Sequence, residues 1–311
     1  MVGKRLAALG ADVIKIGSTR HPDALRTTPT PRPPGSEVNG EVNWLFANLN
    51  AGKRSISLDL ASERGRALFL QLVERAEVML DSYGIDPLPK FRLTYEDLID
   101  VKPDLVMLRS TVMGRRGPCG NTIATGSAIA SAGGLTGLTG YPDDDPCGTG
   151  TAHPDYSSSA HLGLVATLAA LVFRNRTGRG IEIDFSQVEG VASFLGAEFL
   201  REQAGDVPLG PEGNRRDGCL VHGVFPGATS DDWCAIAVAT EDGWQRLLAR
   251  VEADDPVLAE GLRAAADPDL RDRLLAGWTV RFRSDELAGT LRQADVLADE
   301  VLEAPDLLTN P

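Results

Sequence analysis

The stretch SISLDLASERGRALFLQLVERAEVML, residues 55–80, decides the fold of this chain. Its first five residues, 55–59, alternate polar and apolar side chains, which predicts a strand. Apolar residues then recur at helical spacing over 63–75, and the run Val78-Met79-Leu80 predicts a second strand. A strand, a helix and a strand in this order form a βαβ unit, which is typical of a parallel sheet with helices on its faces.

The same alternation of helices and strands continues on both sides of this stretch. Upstream, a predicted helix over residues 1–9 is followed by a predicted strand at 12–16. Downstream, we predict a strand at 104–108, a long apolar helix that includes 160–173, and a strand at 181–185. The repeated pattern predicts a Rossmann-like α/β domain built on a parallel sheet.

Glycine and proline mark the end of this domain. A helix predicted over 187–203 gives way to a segment rich in both residues, and a different pattern of strands and helices follows it. We therefore predict a large domain at 1–203, a linker at 204–217 and a small α/β domain at 218–295. Residues 296–311 are interpreted as the start of a connection back to the large domain.

Composition excludes several classes of function. The chain has 31 Lys and Arg against 44 Asp and Glu, and its net charge of −13 disfavours nucleic acid as a partner. No run approaches the roughly 18 consecutive apolar residues of a membrane span, so no membrane association is expected. The four cysteines are scattered without CxxC spacing, which predicts no disulfide framework, no metal site and a cytoplasmic location.

Asp155 is the candidate catalytic residue. It lies directly before the long apolar helix, where the helix dipole would favour the ionised carboxylate, a potential nucleophile. A second interpretation is a simple N-cap of that helix. His153 lies two residues away and its role stays open, whereas we expect His161 to be packed in the core.

Several motifs in fixed order resemble the class III CoA-transferases, a family that includes formyl-CoA transferase, carnitine CoA-transferases and α-methylacyl-CoA racemase. The motifs include GADVIKI at 10–16, GKRSISLDL at 52–60, RTGRG at 176–180 and HGVF at 222–225. The resemblance covers essentially the whole chain. The family's first strand and its C-terminal return to the large domain have no counterpart in this chain, so the chain is expected to be truncated at both ends.

The resemblance implies a covalent mechanism at Asp155. In the family, an aspartate at this position attacks an acyl-CoA thioester and passes through a mixed anhydride and an aspartyl-CoA thioester. The implied substrates are coenzyme A thioesters and a small carboxylic acid, with no permanently bound cofactor. The implied assembly is an interlocked homodimer, or a heterodimer with a related subunit.

The resemblance also implies where CoA and the acyl group bind. Five residues match positions that contact CoA or lie near those that do: Arg20, Leu58, Ser82, Tyr83 and Lys90. Gly133 and Gly134 would offer backbone amides to a developing oxyanion. The proline-rich segment 20–42 is predicted to be a surface loop that could reach over a ligand.

Two other functions remain open at this stage. A racemase of the same family would need a histidine opposite the aspartate, but Ala124 occupies the expected position and Thr125 follows it. A non-catalytic acyl-CoA-binding subunit is the other alternative. Ala61 motivates it, because formyl-CoA transferase has a lysine at that position.

Overall fold

The structure is a computed structural model that describes residues 1–27, 43–205 and 209–309. The chain forms two compact units. The large unit contains Met1–Gly140 and Asp145–Gly210, and the small unit contains Tyr141–Asp144 and Pro211–Pro311. Most of the proline-rich segment 20–42 lies outside the described residues, so the loop predicted there is not described further.

The large unit contains five strands and eleven α-helices within the described residues. The strands are β1 (Ile14–Gly17), β2 (Arg54–Ser57), β3 (Val78–Asp81), β4 (Val106–Thr111) and β5 (Ile181–Ser186). The helices are α1 (Val2–Ala8), α2 (Ala24–Thr27), α3 (Trp44–Asn50), α4 (Glu63–Arg75), α5 (Leu88–Phe91), α6 (Tyr95–Ile99), α7 (Gly126–Ala132), α8 (His153–Tyr156), α9 (Ser158–Thr177), α10 (Gln187–Ala192) and α11 (Gly196–Ala204).

Every strand pair in the large unit is parallel within the described residues, which confirms the predicted fold class. The β1 and β2 strands form one sheet, and β3, β4 and β5 form a second sheet with β4 in the centre. The two strands of the 55–80 stretch, β2 and β3, therefore lie in different sheets. The order β3-β4-β5 brings the carboxyl ends of three strands side by side.

The α4 helix shows how local sequence sets an element. The Ser62 side chain caps its first turn by accepting a hydrogen bond from the Gly65 amide at 3.0 Å. A β-carbon at Gly65 would lie 2.0 Å from the Asp59 carbonyl oxygen, so only glycine fits this turn. Phe69 and Val73 are buried against the core, and each contributes roughly 1.5–3 kcal/mol by leaving water.

The α9 helix is apolar on both faces. The helix packs against α1, β4, β5 and α10. Gly163 and Thr167 lie on its buried side. Val165 and Val172 on the other side are 61% and 50% exposed. By length and composition the helical segment His153–Thr177 could cross a membrane, although a core helix of a soluble protein passes the same test. The sequence pattern did not predict a segment that could cross a membrane, because no run of consecutive apolar residues approaches the roughly 18 of a membrane span.

The predicted helix over 187–203 is interrupted. It divides into α10, a 3₁₀ turn at Ser193–Leu195 and α11. The Ser193 hydroxyl donates to the Gly190 carbonyl at 2.8 Å, and such a bond competes with the helical backbone ladder. Apolar periodicity does not report this local competition, so the sequence pattern predicted one continuous helix.

The small unit has an antiparallel sheet covered by helices. Its strands are β6 (Val221–Pro226), β7 (Trp233–Val238) and β8 (Leu297–Glu300), and its helices are α12 (Glu241–Asp254), α13 (Pro256–Ala264), α14 (Pro268–Thr279) and α15 (Ser284–Gln293). The core includes Leu247, Trp278 and Leu291, all fully buried.

The assignment of residues 296–311 to a connection is wrong for β8. This strand pairs antiparallel with β7, from Leu297 opposite Ala237 to Glu300 opposite Cys234. Its four residues are too few and too polar for the alternation of a strand to stand out in the sequence, so pairing with β7 decides its conformation. The predicted limits of the domains and linker otherwise stay a prediction.

Candidate active site

Asp155 is not the N-cap of the long helix. It lies inside the short helix α8, and α9 begins three residues later, at Ser158. Ser157 separates the two helices with φ −108° and ψ −88°, and its side chain makes no capping hydrogen bond to α9. The N-cap interpretation is therefore wrong, since the Asp155 carboxylate points to a different part of the chain.

The partner of Asp155 is the backbone of Gly126. The Gly126 amide donates to Asp155 Oδ2 at 3.1 Å, at the first residue of α7. A β-carbon at residue 126 would lie 2.7 Å from the α- and β-carbons of Ala152 and 2.8 Å from Asp155 Oδ2. Glycine is needed here because the backbone of α7 approaches the segment that carries Asp155 too closely for any side chain.

Burial raises the pKa of the Asp155 carboxyl above its ordinary value, and the hydrogen bond from Gly126 acts in the opposite direction. The removal of the carboxyl from water is the largest influence on this pKa. The ionised form of Asp155 is therefore less stabilised than that of a carboxylate in water. A poorly solvated carboxylate held by one amide is suited to act as a nucleophile.

Asp155 lines a cavity of about 190 Å³ in the large unit. Its polar wall contains Ser82, Ser110, Thr111 and Gln187. Ser82 directly follows β3, Ser110 and Thr111 end β4, and Gln187 directly follows β5. The cavity therefore opens at the carboxyl ends of the parallel strands, where ligands bind in open α/β sheets.

Apolar residues also line the cavity. Val112, Ile123 and Ala124 contribute to it, and Val112 belongs to a small core cluster with Ile129 and Val191. A lining of both polar and apolar groups suits a ligand that has both kinds of surface.

A layer of ion pairs supports the turn that carries Ser82. Arg109 is buried on β4 and pairs with Asp81 at 3.0 Å and with Glu182 at 3.4 Å, as well as with Asp86. Arg115 also reaches Asp81, at 3.2 Å, and donates to a backbone carbonyl of the same turn. These contacts fix residues 81–86, and thus the position of Ser82 on the cavity.

The structure brings one of the five predicted CoA residues into this cavity, and it is Ser82. Arg20 is exposed and pairs with Asp59 at 3.4 Å, next to the half-buried Leu58. Tyr83 is 52% exposed on the same turn as Ser82, and Lys90 is exposed in the last turn of α5. The CoA contacts of all five residues stay predictions.

Gly133 and Gly134 lie at the far end of α7 from Asp155. Seven residues of helix separate them from the start of α7, a distance of roughly 10 Å. A β-carbon at Gly133 would lie 2.6 Å from Val191, so this glycine permits close packing of α7 on α10. The amide that contacts Asp155 belongs to Gly126, and the oxyanion role of Gly133 and Gly134 stays a prediction.

The two histidines near Asp155 lie on the surface. His161 is exposed, so the prediction of a core position is wrong, because this face of α9 is not covered. Its Nδ1 lies 2.9 Å from the Ser157 carbonyl oxygen. His153 is also exposed, with Nδ1 3.0 Å from the Ser157 hydroxyl, and neither histidine lines the cavity.

Sequence reasoning missed Gly126, Ser110, Thr111 and Gln187. The last three could have been found from their places at the ends of predicted strands, where parallel sheets build their sites. Gly126 had no such signal, since its contact with Asp155 depends on how α7 and α8 pack.

The chain belongs to CoA-transferase family III, whose family model matches residues 1–311. CoA-transferases use CoA thioesters as substrates. A structure of a CAIB/BAIF family protein from Brucella suis is similar over the whole chain. Its TM-score is 0.87 with 29% identity, and the match covers 82% of that protein.

Two relatives are named for CoA-transferase activity. A probable CoA-transferase of Mycobacterium tuberculosis is 29% identical over 97% of the chain, and the chain spans only 38% of that relative's length. A succinyl-CoA–D-citramalate CoA-transferase of Chloroflexus aurantiacus is 27% identical over 99% of the chain, which spans 76% of its length.

Proposed function

We propose that this protein transfers CoA from an acyl-CoA donor to a carboxylic acid, with Asp155 as the nucleophile. The observation that carries the proposal is the half-buried Asp155 carboxylate on the cavity wall, held by the Gly126 amide at 3.1 Å. Family membership supports it independently.

The reaction begins when an oxygen of ionised Asp155 attacks the thioester carbonyl. The carbon–sulfur bond breaks, CoA leaves as the thiolate, and a mixed anhydride of Asp155 and the acyl group remains. The thiolate then attacks Cγ of Asp155, which releases the donor acid as its carboxylate and leaves an aspartyl-CoA thioester. No net proton is gained or lost.

The acceptor acid completes the cycle by the same steps in reverse. Its carboxylate attacks Cγ of Asp155, releases the CoA thiolate and forms a second mixed anhydride. The thiolate attacks the acceptor's acyl carbon, which gives the new acyl-CoA and regenerates the Asp155 carboxylate. The thioester's free energy is retained as long as water does not attack either intermediate.

Gly126 has two roles in this scheme. Its amide holds Oδ2 of Asp155 and so orients the carboxylate toward the cavity. When Cγ becomes tetrahedral, negative charge develops on an aspartyl oxygen, and the same amide stabilises that charge. The oxyanion role of Gly133 and Gly134 stays a prediction.

We further propose a cytoplasmic dimer, formed with a second copy or a related subunit. The exposed apolar side of α9, with Val165 and Val172, supports a protein contact because large apolar patches mark such surfaces. CoA is proposed as a co-substrate that leaves with the product.

The test is direct detection of the covalent intermediate. The protein is incubated with succinyl-CoA or acetyl-CoA and then treated with hydroxylamine or borohydride, and the peptide that contains Asp155 is analysed by mass spectrometry. We expect modification at Asp155, and none in Asp155→Asn. Asp144→Asn, at an exposed position of the small unit, is the matched control and should retain the adduct.

The competing functions give different results. A protein that binds CoA in calorimetry but never forms the adduct would be the non-catalytic acyl-CoA-binding subunit. A racemase would exchange the α-proton of a 2-methylacyl-CoA with solvent deuterium without transferring CoA. Among the residues described around the cavity, Asp155 is the one ionisable side chain, whereas two-sided proton transfer needs a second base.

A further inference from the structure

The acyl carbon of the donor needs a hydrogen-bond donor of its own. In the proposed reaction two carbons become tetrahedral, Cγ of Asp155 and the carbonyl carbon of the acyl group, and negative charge develops on a different oxygen in each case. The Gly126 amide, 3.1 Å from Asp155 Oδ2, serves the first of these oxygens. A second donor is needed for the oxygen of the acyl group.

Gln187 brings side-chain N–H groups to the cavity. The other residues described around it contribute hydroxyl groups, hydrocarbon, a glycine or the Asp155 carboxylate. Amide N–H groups are common donors to developing oxyanions, and glutamine offers two of them. Gln187 directly follows β5 and begins α10, so its backbone position is set by the sheet.

Ser110 holds the amide of Gln187. Nε2 of Gln187 donates to the Ser110 hydroxyl oxygen at 3.1 Å. Because a hydroxyl can donate or accept, the pair leaves at least one Gln187 N–H without a partner among the described residues in either orientation of the amide. No buried unpaired atom there belongs to Gln187, so the part of the amide that Ser110 leaves unpaired reaches open space. A donor fixed in advance costs no reorganisation during the reaction.

The size of the cavity brings both groups within reach of one carbonyl. An attacking oxygen stands about 3–3.5 Å from the carbonyl carbon, and a donor stands about 2.7–3.1 Å from the developing oxyanion. With a carbonyl bond of about 1.2 Å between them, the nucleophile and the donor can be at most roughly 8 Å apart. Asp155 and Gln187 line a cavity of about 190 Å³, and a sphere of this volume is roughly 7 Å across. One carbonyl group can therefore contact both side chains.

We propose that Gln187 is a catalytic residue whose side-chain amide donates to the thioester carbonyl oxygen, and that Ser110 positions this amide. The inference rests on the proposed function, because it assumes that Asp155 attacks an acyl carbon in this cavity. As the bond from Asp155 to that carbon forms, the carbonyl π electrons move onto the oxygen, where the Gln187 N–H stabilises them. They return to the carbon when the carbon–sulfur bond breaks and the CoA thiolate leaves. No proton moves to or from Gln187.

Gln187→Met tests the contact, because it removes the N–H groups and keeps a side chain of similar length. Single-turnover formation of the Asp155 adduct from acetyl-CoA should slow by about 10²–10³-fold, the effect of losing one oxyanion donor, whereas the Kd for free CoA should stay within about twofold. Gln71→Met, at an exposed position of α4, is the matched control and should keep the wild-type rate.

Gln187→Glu tests the charge at the same position. Its side chain has nearly the shape of glutamine but carries no N–H when ionised. At pH 8 it should slow adduct formation at least as much as Gln187→Met, because a carboxylate repels the developing negative charge.

Ser110→Ala tests the positioning role. It should slow adduct formation less than Gln187→Met does, because the amide is still present but is no longer fixed. Combining Ser110→Ala with Gln187→Met should slow the reaction no further than Gln187→Met alone, since Ser110 acts through Gln187.

The infrared stretch of the thioester carbonyl gives a readout that a packing role would not move. Asp155→Ala leaves bound acetyl-CoA intact, and a carbon-13 label on the acetyl carbonyl identifies its stretch in a difference spectrum. The hydrogen bond from Gln187 should weaken the carbonyl bond, so adding Gln187→Met to Asp155→Ala should shift the stretch to higher frequency.

Either of two results would overturn the inference: a folded Gln187→Met variant that forms the adduct within twofold of the wild-type rate, or equal carbonyl frequencies with and without Gln187. Urea denaturation establishes whether the variant is folded, and Gln187→Glu decides if Gln187→Met is not. Failure of the proposed function looks different, because the wild-type protein would then form no adduct at Asp155 with any donor.

Discussion

Replacing Gly126 by alanine should displace Asp155 without unfolding the protein. The new β-carbon would lie 2.7 Å from Ala152 and 2.8 Å from Asp155 Oδ2, about 0.6–0.7 Å inside ordinary van der Waals contact, which begins at 3.4 Å. The backbone of residue 126 does not have a positive φ, so alanine brings no conformational strain of its own. The only way to accommodate the methyl group is for α7 and the Asp155 segment to move apart.

The size of the effect follows from these distances. The Gly126 amide and Asp155 Oδ2 are 3.1 Å apart, and a further separation of about 0.6 Å takes them beyond hydrogen-bonding distance. A misplaced catalytic group of this kind costs on the order of 10²-fold in rate. Overpacking should lower the free energy of unfolding by about 1–3 kcal/mol, partly offset by up to roughly 1 kcal/mol from the better helix propensity of alanine.

The assay measures single-turnover formation of the Asp155 adduct alongside urea denaturation. Gly196→Ala is the matched control, because Gly196 also begins a helix of the large unit and a β-carbon there would meet nothing within 4 Å. The control should keep its rate and be as stable as the wild type or more so. If Gly126→Ala acylates Asp155 within twofold of the wild-type rate, the role assigned to the Gly126 amide is wrong.

Three further predictions concern charge and burial. Burial raises the folded-state pKa of Asp155, so the contribution of this group to stability is present at low pH and is lost as pH rises through that pKa. Asp155→Asn should therefore be more stable than wild type at pH 7, although it should be inactive. Urea denaturation as a function of pH measures the difference in stability. Arg109→Leu should lower the free energy of unfolding by about 3–5 kcal/mol, because it leaves the buried Asp81 carboxylate without its closest cation. Burial raises the pKa of Cys234 to about 11, so Ellman's reagent at pH 8 should label the exposed Cys147 rapidly and Cys234 only on unfolding.

Each of these predictions has a result that would contradict it. Asp155→Asn should lose its stability advantage as the pH is lowered, and an advantage that is constant from pH 3 to pH 8 would exclude titration of Asp155 as its source. Arg54→Ala, which removes one partner of an exposed pair with Asp12, should cost less than about 1 kcal/mol and is the control for Arg109. Labelling of Cys234 in the native protein at the rate of Cys147 would show that its thiol is accessible.

Local patterns account for what the sequence predicted well. The predicted limits of α4, 63–75, agree with the structure because a serine cap and a stripe of core residues are both encoded within fifteen residues. The parallel direction of the strands follows from their alternation with helices. The choice of Asp155 depended on its place before a long apolar helix and on the family resemblance, and the structure puts that residue on a cavity wall.

What the sequence by itself determined was therefore the α/β class and most elements of the large unit, and it singled out Asp155 as the candidate nucleophile. Tertiary structure alone decided the surroundings of that residue. Ser110 and Gln187 are far apart in the chain and meet because β4 and β5 end side by side, while Gly126 reaches Asp155 through the packing of two short helices. The direction of the Asp155 pKa shift follows from burial, which depends on contacts between distant segments that no local pattern encodes.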